Sequence, residues 1–388
     1  MSVKPFGLYI HWPFCESKCP YCDFNSHVRE KVDHARWSRA LLSELEYLAQ
    51  KTPNRHLTSI FFGGGTPSLM DPQTVAALIT QAKHLWSHDD DLEVTLEANP
   101  SSSEFSKFQA FKQAGINRLS LGIQSLDDDV LKFLGRRHSA EMALGALQMA
   151  QKTFDRYSFD LIYGRPHQTW ESWRGELERA LSFGACHMSL YQLTIEKGTA
   201  FYTQHQRGDW TLPTDEILID LYERTCDLMA TQGFETYETS NYAKPGQESR
   251  HNLIYWRYQE FGGIGPGAHG RLHTPDGILE TKCYKAPETW LDSVEKNGHG
   301  YEVMTPLAPK DQVQEFFLMG LRLSEGASWT LLQQTLGYAK EDLFDLKALT
   351  FLETQGYIEL SQDSLKVSKD YKVHQNSVIS KVIECLQI

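Results

Sequence analysis

A chain of 388 residues, 41% hydrophobic and 23% charged, is too long for one core and too apolar for disorder, so two or three packed domains are expected. Its formal charge of -12 excludes a general nucleic-acid binder, because no basic excess exists to displace phosphate counterions. Seven cysteines, three of them within positions 15–22 and four scattered, exclude a disulfide framework and read as reduced thiols.

The first fourteen residues carry one lysine and lack the apolar run and small-residue cleavage site of a signal peptide. No later stretch approaches the ~18 uninterrupted apolar residues of a transmembrane segment, so a cytoplasmic protein is expected. Apolar, β-rich runs follow at 6–12, 59–62, 92–96, 118–123, 157–163 and 187–193. Between them lie helix-like segments, such as 33–50 and 72–86, with apolar residues at three- and four-residue spacing. Strand alternating with helix implies a parallel sheet with right-handed crossovers, so residues 1–200 are expected to form a partial (β/α)6 barrel in an α/β fold. After about residue 200 the rhythm breaks. A helix at 214–233 is followed by aromatic- and glycine-rich sequence, and 201–304 reads as a loop-rich extension. Helices at 311–323, 330–336 and 340–355 and a hairpin at 357–367 predict a small winged-helix-like α+β domain over 305–388.

Immediately after the first run stands Cys15-Glu-Ser-Lys-Cys19-Pro-Tyr-Cys22, a C-x-x-x-C-x-x-C spacing. Three thiolates on one short loop can converge on one metal centre. Iron-sulfur cubanes normally take four cysteines, so three leave one iron open to an outside donor. The amino and carboxylate groups of S-adenosylmethionine suit that position. A zinc site or three buried thiols is the alternative, although zinc normally takes a fourth ligand.

The ends of the later strands carry groups that a ligand site in such a barrel would use. Phe62-Gly63-Gly64-Gly65-Thr66-Pro67 offers backbone without side chains for close approach. Glu97 and Asp160 stand at or near the ends of apolar strands, where an unpartnered carboxylate is costly. A bound ammonium or ribose would explain both, as would an internal ion pair. Gln124 ends its strand with neutral chemistry, and Arg136 suits a carboxylate, or else forms a solvated helix-end pair with Arg137.

The triplet resembles the signature of the radical-SAM superfamily. Tyr9-Ile-His-Trp-Pro-Phe-Cys15 narrows the likeness to the group that holds the oxygen-independent coproporphyrinogen dehydrogenases and the HemW proteins, and it continues through most of the chain. The resemblance implies a 4Fe-4S cluster on Cys15, Cys19 and Cys22, with S-adenosylmethionine contacted by Tyr9, the backbone at Tyr21, Gly64, Gly65, Thr66, Glu97, Gln124, Arg136 and Asp160. It adds a main-chain contact at Thr194.

Within the group, the dehydrogenases carry a further cysteine two residues after the third ligand, where this chain has Phe24, and a longer N-terminal extension. Both differences match the HemW side. His251-Asn-Leu-Ile-Tyr255-Trp256 has the H-N-x-x-Y-W form associated there with heme, and an imidazole with two flat aromatic rings suits a heme macrocycle. The resemblance therefore implies a heme chaperone that hands heme to apo-hemoproteins such as membrane-associated respiratory enzymes. The alternative is a coproporphyrinogen III dehydrogenase that converts propionates to vinyl groups. Cys186, Cys226, Cys283 and Cys385 read as structural thiols, and His11, His138, His167 and His269 as hydrogen-bonded structural residues. The C-terminal domain has three roles open to it: covering the barrel mouth, contacting a client, or forming a homodimer.

Overall fold

The computed structural model describes residues 5–101, 106–275 and 277–387. The six apolar runs form six parallel strands, hydrogen-bonded in chain order: β1 (Pro5–Trp12), β2 (His56–Gly64), β3 (Ser87–Ala98), β4 (Arg118–Gln124), β5 (Arg156–Tyr163) and β6 (His187–Gln192). Phe6, Leu8, Ile10 and Trp12 of β1 are buried in one core with Trp37, Leu41, Leu45 and Leu48 of the helix His34–Lys51. That helix begins where the Asp33 side chain accepts from Arg36 N at 3.0 Å. The helix Pro72–Leu85 starts the same way on Asp71, with proline in its first turn. Each fully buried leucine or phenylalanine on these faces contributes about 1.5–3 kcal/mol. The opposite face of the sheet turns Tyr9, Glu97, Arg118 and Asp160 inward, which leaves the barrel interior polar.

Later segments extend both edges of this array. Past β6 come β8 (Asn241–Ala243), antiparallel to β6, and β7 (Glu235–Thr236) beyond it. On the other edge β9 (Glu260–Ile264) joins β1 in parallel, followed by β10 (His269–Thr274), β11 (Gly277–Cys283) and β12 (Tyr301–Pro306), all antiparallel. The glycine-rich run around 261–269, which reads as a loop by composition, is thus a strand that leads into a tight turn. Close packing requires its glycines: a Cβ on Gly263 would lie 2.1 Å from the His269 carbonyl oxygen, and one on Gly262 2.7 Å from Leu48.

A second core gathers Val313, Phe316, Phe317, Leu332, Phe344 and Leu349 with Ile358, Leu365 and Val367 of the hairpin Ile358–Leu360/Ser364–Val367. The expected helix at 340–355 is broken into Lys340–Leu343 and Leu346–Thr354. Phe344 bridges to Leu386 there, and the Asp345 side chain caps the second piece. A terminal helix, Gln375–Glu384, follows. This smaller unit meets the strand His269–Thr274 through Arg271–Glu315 (2.7 Å) and the end of the helix Arg250–Trp256 through Arg257–Glu325 (2.7 Å). Among the described residues no helix is long and apolar enough to cross a membrane.

Candidate functional site

The cysteine loop leaves the sheet at the C-terminal end of β1. The short strand Phe14–Cys15 pairs with His27–Val28, which closes the loop, and the Pro20 carbonyl accepts from Phe201 N at 2.9 Å. Cys15 is buried, while Cys19 and Cys22 are half-buried. Among the described residues no three Cys, His, Asp or Glu side chains converge on a point that one metal ion could occupy.

Beside the thiols lies a cavity that opens to solvent, lined by the triplet and by Tyr21, Gly64, Gly65, Thr66, Glu97, Gln124, Arg136 and Asp160. Gly65 must be glycine, because a Cβ would press on the Pro13–Phe14 backbone at 2.8–2.9 Å. Its N–H donates to Trp12 O at 2.7 Å, and Thr66 N donates to Phe14 O at 2.9 Å. The turn is thereby pinned to the cysteine loop. Gly64 has φ +115°, with the His11 imidazole filling the place of its missing side chain. Gln124 also holds a positive φ, +69°, and its buried Oε1 accepts no hydrogen bond from the described residues. A non-glycine residue held there stores backbone strain of the kind found at ligand sites.

Two carboxyls face this cavity. Burial and the nearby Asp160 push Glu97 up to about 8, although the Gly64 N–H donates to its Oε2 at 3.2 Å. Burial pushes Asp160 up to about 6, with the buried Arg118 guanidinium opposing the shift. Two carboxyls held partly protonated in one cavity are poised for a cationic ligand, which restores their ionised forms. Arg136 reaches across the cavity. Its Nη1 donates to Cys19 Sγ at 3.4 Å and its Nη2 to Asn99 Oδ1 and Gly122 O, while its buried Nε has no partner among the described residues. Asn99 donates in turn to Thr66 Oγ1 (3.0 Å), and Thr66 donates to Cys15 Sγ (3.4 Å).

Residues 9–180 match the model of the radical SAM superfamily, and residues 307–370 match the HemN C-terminal domain. The chain is 40% identical to radical S-adenosyl methionine domain-containing protein 1, mitochondrial, of Bos taurus, over 98% of this chain and 88% of the relative. It is 35% identical to the heme chaperone HemW of Escherichia coli, over 98% of both. The chain belongs to the radical-SAM family of HemW proteins. A solved structure of coproporphyrinogen III oxidase (HemN) from Escherichia coli shares the fold, with a TM-score of 0.80 at 20% identity, covering 98% of this chain and 90% of that one.

Tyr9 and Thr194 do not line the thiol-lined cavity of this HemW-family chain. Thr194 is exposed beyond β6. Tyr9 lines a neighbouring cavity, and its hydroxyl donates to His11 Nδ1 at 3.0 Å. The direction is fixed because His11 Nε2 lies 2.9 Å from the Asn25 carbonyl, which can only accept, so Nε2 carries the proton. Burial lowers His11 to about 4 and keeps it neutral.

The H-N-x-x-Y-W motif does not assemble into one surface. It sits on the helix Arg250–Trp256, whose first turn points His251 into the barrel. There His251 Nδ1 bonds Ser59 Oγ at 2.7 Å and Nε2 bonds Tyr255 Oη at 2.7 Å. Both ring nitrogens are engaged, and burial lowers the group to about 3. Tyr255 lines the second cavity, whereas Trp256 packs elsewhere, with Arg322 5.9 Å from its ring. Sequence reasoning passed over Asn99 and read His138 as a hydrogen-bonded structural residue. Asn99 stands two residues after Glu97 at the strand end, so its position was the available signal. His138 lines the cavity with Nε2 donating to Ile123 O at 3.0 Å, and burial lowers it to about 4.

Proposed function

We propose that Cys15, Cys19 and Cys22 hold a 4Fe-4S cluster, that the adjoining cavity takes S-adenosylmethionine, and that the chain carries heme to apo-hemoproteins. The observation that carries the first two parts is the cavity itself, in which three thiols share one wall with two carboxyls of raised pKa and two unsatisfied buried groups, Gln124 Oε1 and Arg136 Nε. Held by Cys15, Cys19 and Cys22, such a cluster would supply an open iron for the methionine end of the cofactor and an electron for sulfonium cleavage. The chain's own residues bind and orient. Arg136 Nε would serve the methionine carboxylate and Gln124 Oε1 its ammonium, and Glu97 and Asp160 would hold cationic charge or ribose hydroxyls. Gly64 and Gly65 let the backbone approach, and the Tyr21 backbone sits on the cluster loop. Thr66 and Arg136 donate to the sulfurs, the kind of outer bonding that tunes a cluster's potential.

The heme-carrier reading is supported by the relatives that bear the name heme chaperone and by Phe24 at the position where the dehydrogenases of the group carry a cysteine. Anaerobic reconstitution tests the cluster assignment. About four irons and four sulfides per chain are expected, with loss of the cluster in Cys15→Ser, Cys19→Ser or Cys22→Ser and a changed paramagnetic resonance of the reduced protein on adding S-adenosylmethionine. A full cluster in any of the three variants contradicts it.

A further inference from the structure

The heme-carrier reading leaves open where a macrocycle would sit. A second cavity, open to solvent, adjoins the thiol-lined one and shares Phe24, Gly64 and Glu97 with it. Its walls are aromatic. Tyr255 and Phe261 meet edge to face at 4.6 Å, and Phe24 projects at the rim with 61% of its surface exposed. A large apolar ring in water beside a cavity is a surface that a flat ligand would cover.

Three imidazoles lie in or against this cavity, and two of them are occupied. His251 is engaged at both ring nitrogens, by Ser59 and Tyr255, and His11 by Tyr9 and Asn25. His269, at the start of β10, is exposed, lines the cavity and makes no ring hydrogen bond among the described residues. Partial burial, then Lys282 and Arg271, lower its basicity, which favours the neutral ring with a lone pair open to a metal. Lys285 stands on the same wall.

This wall is built rather than loose. Asn25 Nδ2 donates to Pro266 O at 2.9 Å and to Lys285 O at 3.0 Å, tying both segments to the cysteine loop. Gly267, at φ +80°, leaves room for the Asn25 side chain. Behind the turn the fully buried Glu44 accepts from Gly265 N (2.7 Å), Gly300 N (2.6 Å) and Trp290 Nε1 (2.9 Å).

We propose that this second cavity seats heme, with the macrocycle against Tyr255, Phe261 and Phe24, His269 as axial ligand to the iron and Lys285 paired with a propionate carboxylate. His251 then supports the Tyr255 wall. The site adjoins the proposed cofactor cavity across Glu97 and Gly64, so each ligand sits at the border of the other.

The test titrates hemin anaerobically into cluster-loaded full-length protein and follows absorbance and paramagnetic resonance. His269→Ala, at an exposed position, is expected to weaken binding by at least the ~10- to 100-fold that loss of even an outer-shell partner costs a metal site. It is also expected to remove the imidazole-ligated spectrum, which free imidazole then restores. Lys285→Glu weakens binding and leaves the spectrum unchanged. Wild-type affinity and spectrum in His269→Ala overturn this assignment alone, as does failure of imidazole to restore ligation. If hemin does not bind the wild-type protein at all, the heme-carrier reading falls and takes the assignment with it.

Discussion

Arg136 donates to the sulfur of Cys19 at 3.4 Å, and the same guanidinium reaches Cys15 through Asn99 and Thr66. Two of the three thiols are thus tied to the Arg136 guanidinium. Arg136→Lys keeps the charge but cannot serve Cys19, Asn99 and Gly122 together, because an ammonium lacks the planar fork. The cluster is expected to assemble in this variant. S-adenosylmethionine binding, followed by calorimetry, weakens about tenfold or more, as suits the loss of a charged hydrogen bond worth ~1.5–3 kcal/mol. Unchanged affinity would remove Arg136 from the site.

Glu97 sets a pH dependence. In the empty site its carboxyl is protonated below about 8. A cationic ligand favours the ionised form, so binding releases protons and weakens as pH falls below that value. Titrations in buffers of different ionisation enthalpy measure the release. Glu97→Gln is expected to flatten the profile, leaving the smaller contribution of Asp160 near 6.

Gly65→Ala places a methyl against the Pro13–Phe14 backbone, which cannot yield as a flexible side chain would. The turn must lift from the cysteine loop, breaking the Gly65–Trp12 and Thr66–Phe14 hydrogen bonds. Reconstituted iron per chain is expected to fall by more than half. Full loading would show that the turn and the loop move independently.

How much of this was legible in sequence follows from what each signal reports. Strand-helix alternation is local, so the six parallel strands and their order could be read from periodicity, and the cysteine spacing marked the loop after β1. Composition misled around 261–269, where glycines that look like a loop are there because strands, a turn and Leu48 crowd together. The motif at 251–256 is a different case. Its spacing lies on one helix, but the helix turns His251 inward to Ser59, 192 positions away, and sends Trp256 elsewhere. His269 carries no spacing signal, because its neighbours in the cavity arrive from distant parts of the chain.

His251→Ala is expected to cost about 2–4 kcal/mol of stability, since it opens a cavity and leaves the Ser59 and Tyr255 hydroxyls without their buried partner. Urea unfolding should show a lower midpoint at unchanged slope. Any bound heme keeps its imidazole-ligated spectrum. A variant as stable as wild type that loses that spectrum would make His251 the iron ligand.

The central claim, that this chain carries heme rather than making its precursor, is tested most directly on one anaerobic preparation loaded with cluster, reductant and S-adenosylmethionine. Hemin is titrated into one half, and coproporphyrinogen III is supplied to the other. Saturable hemin binding with no vinyl product is the expected result. Conversion of coproporphyrinogen to protoporphyrinogen would contradict it and make the chain a dehydrogenase despite Phe24.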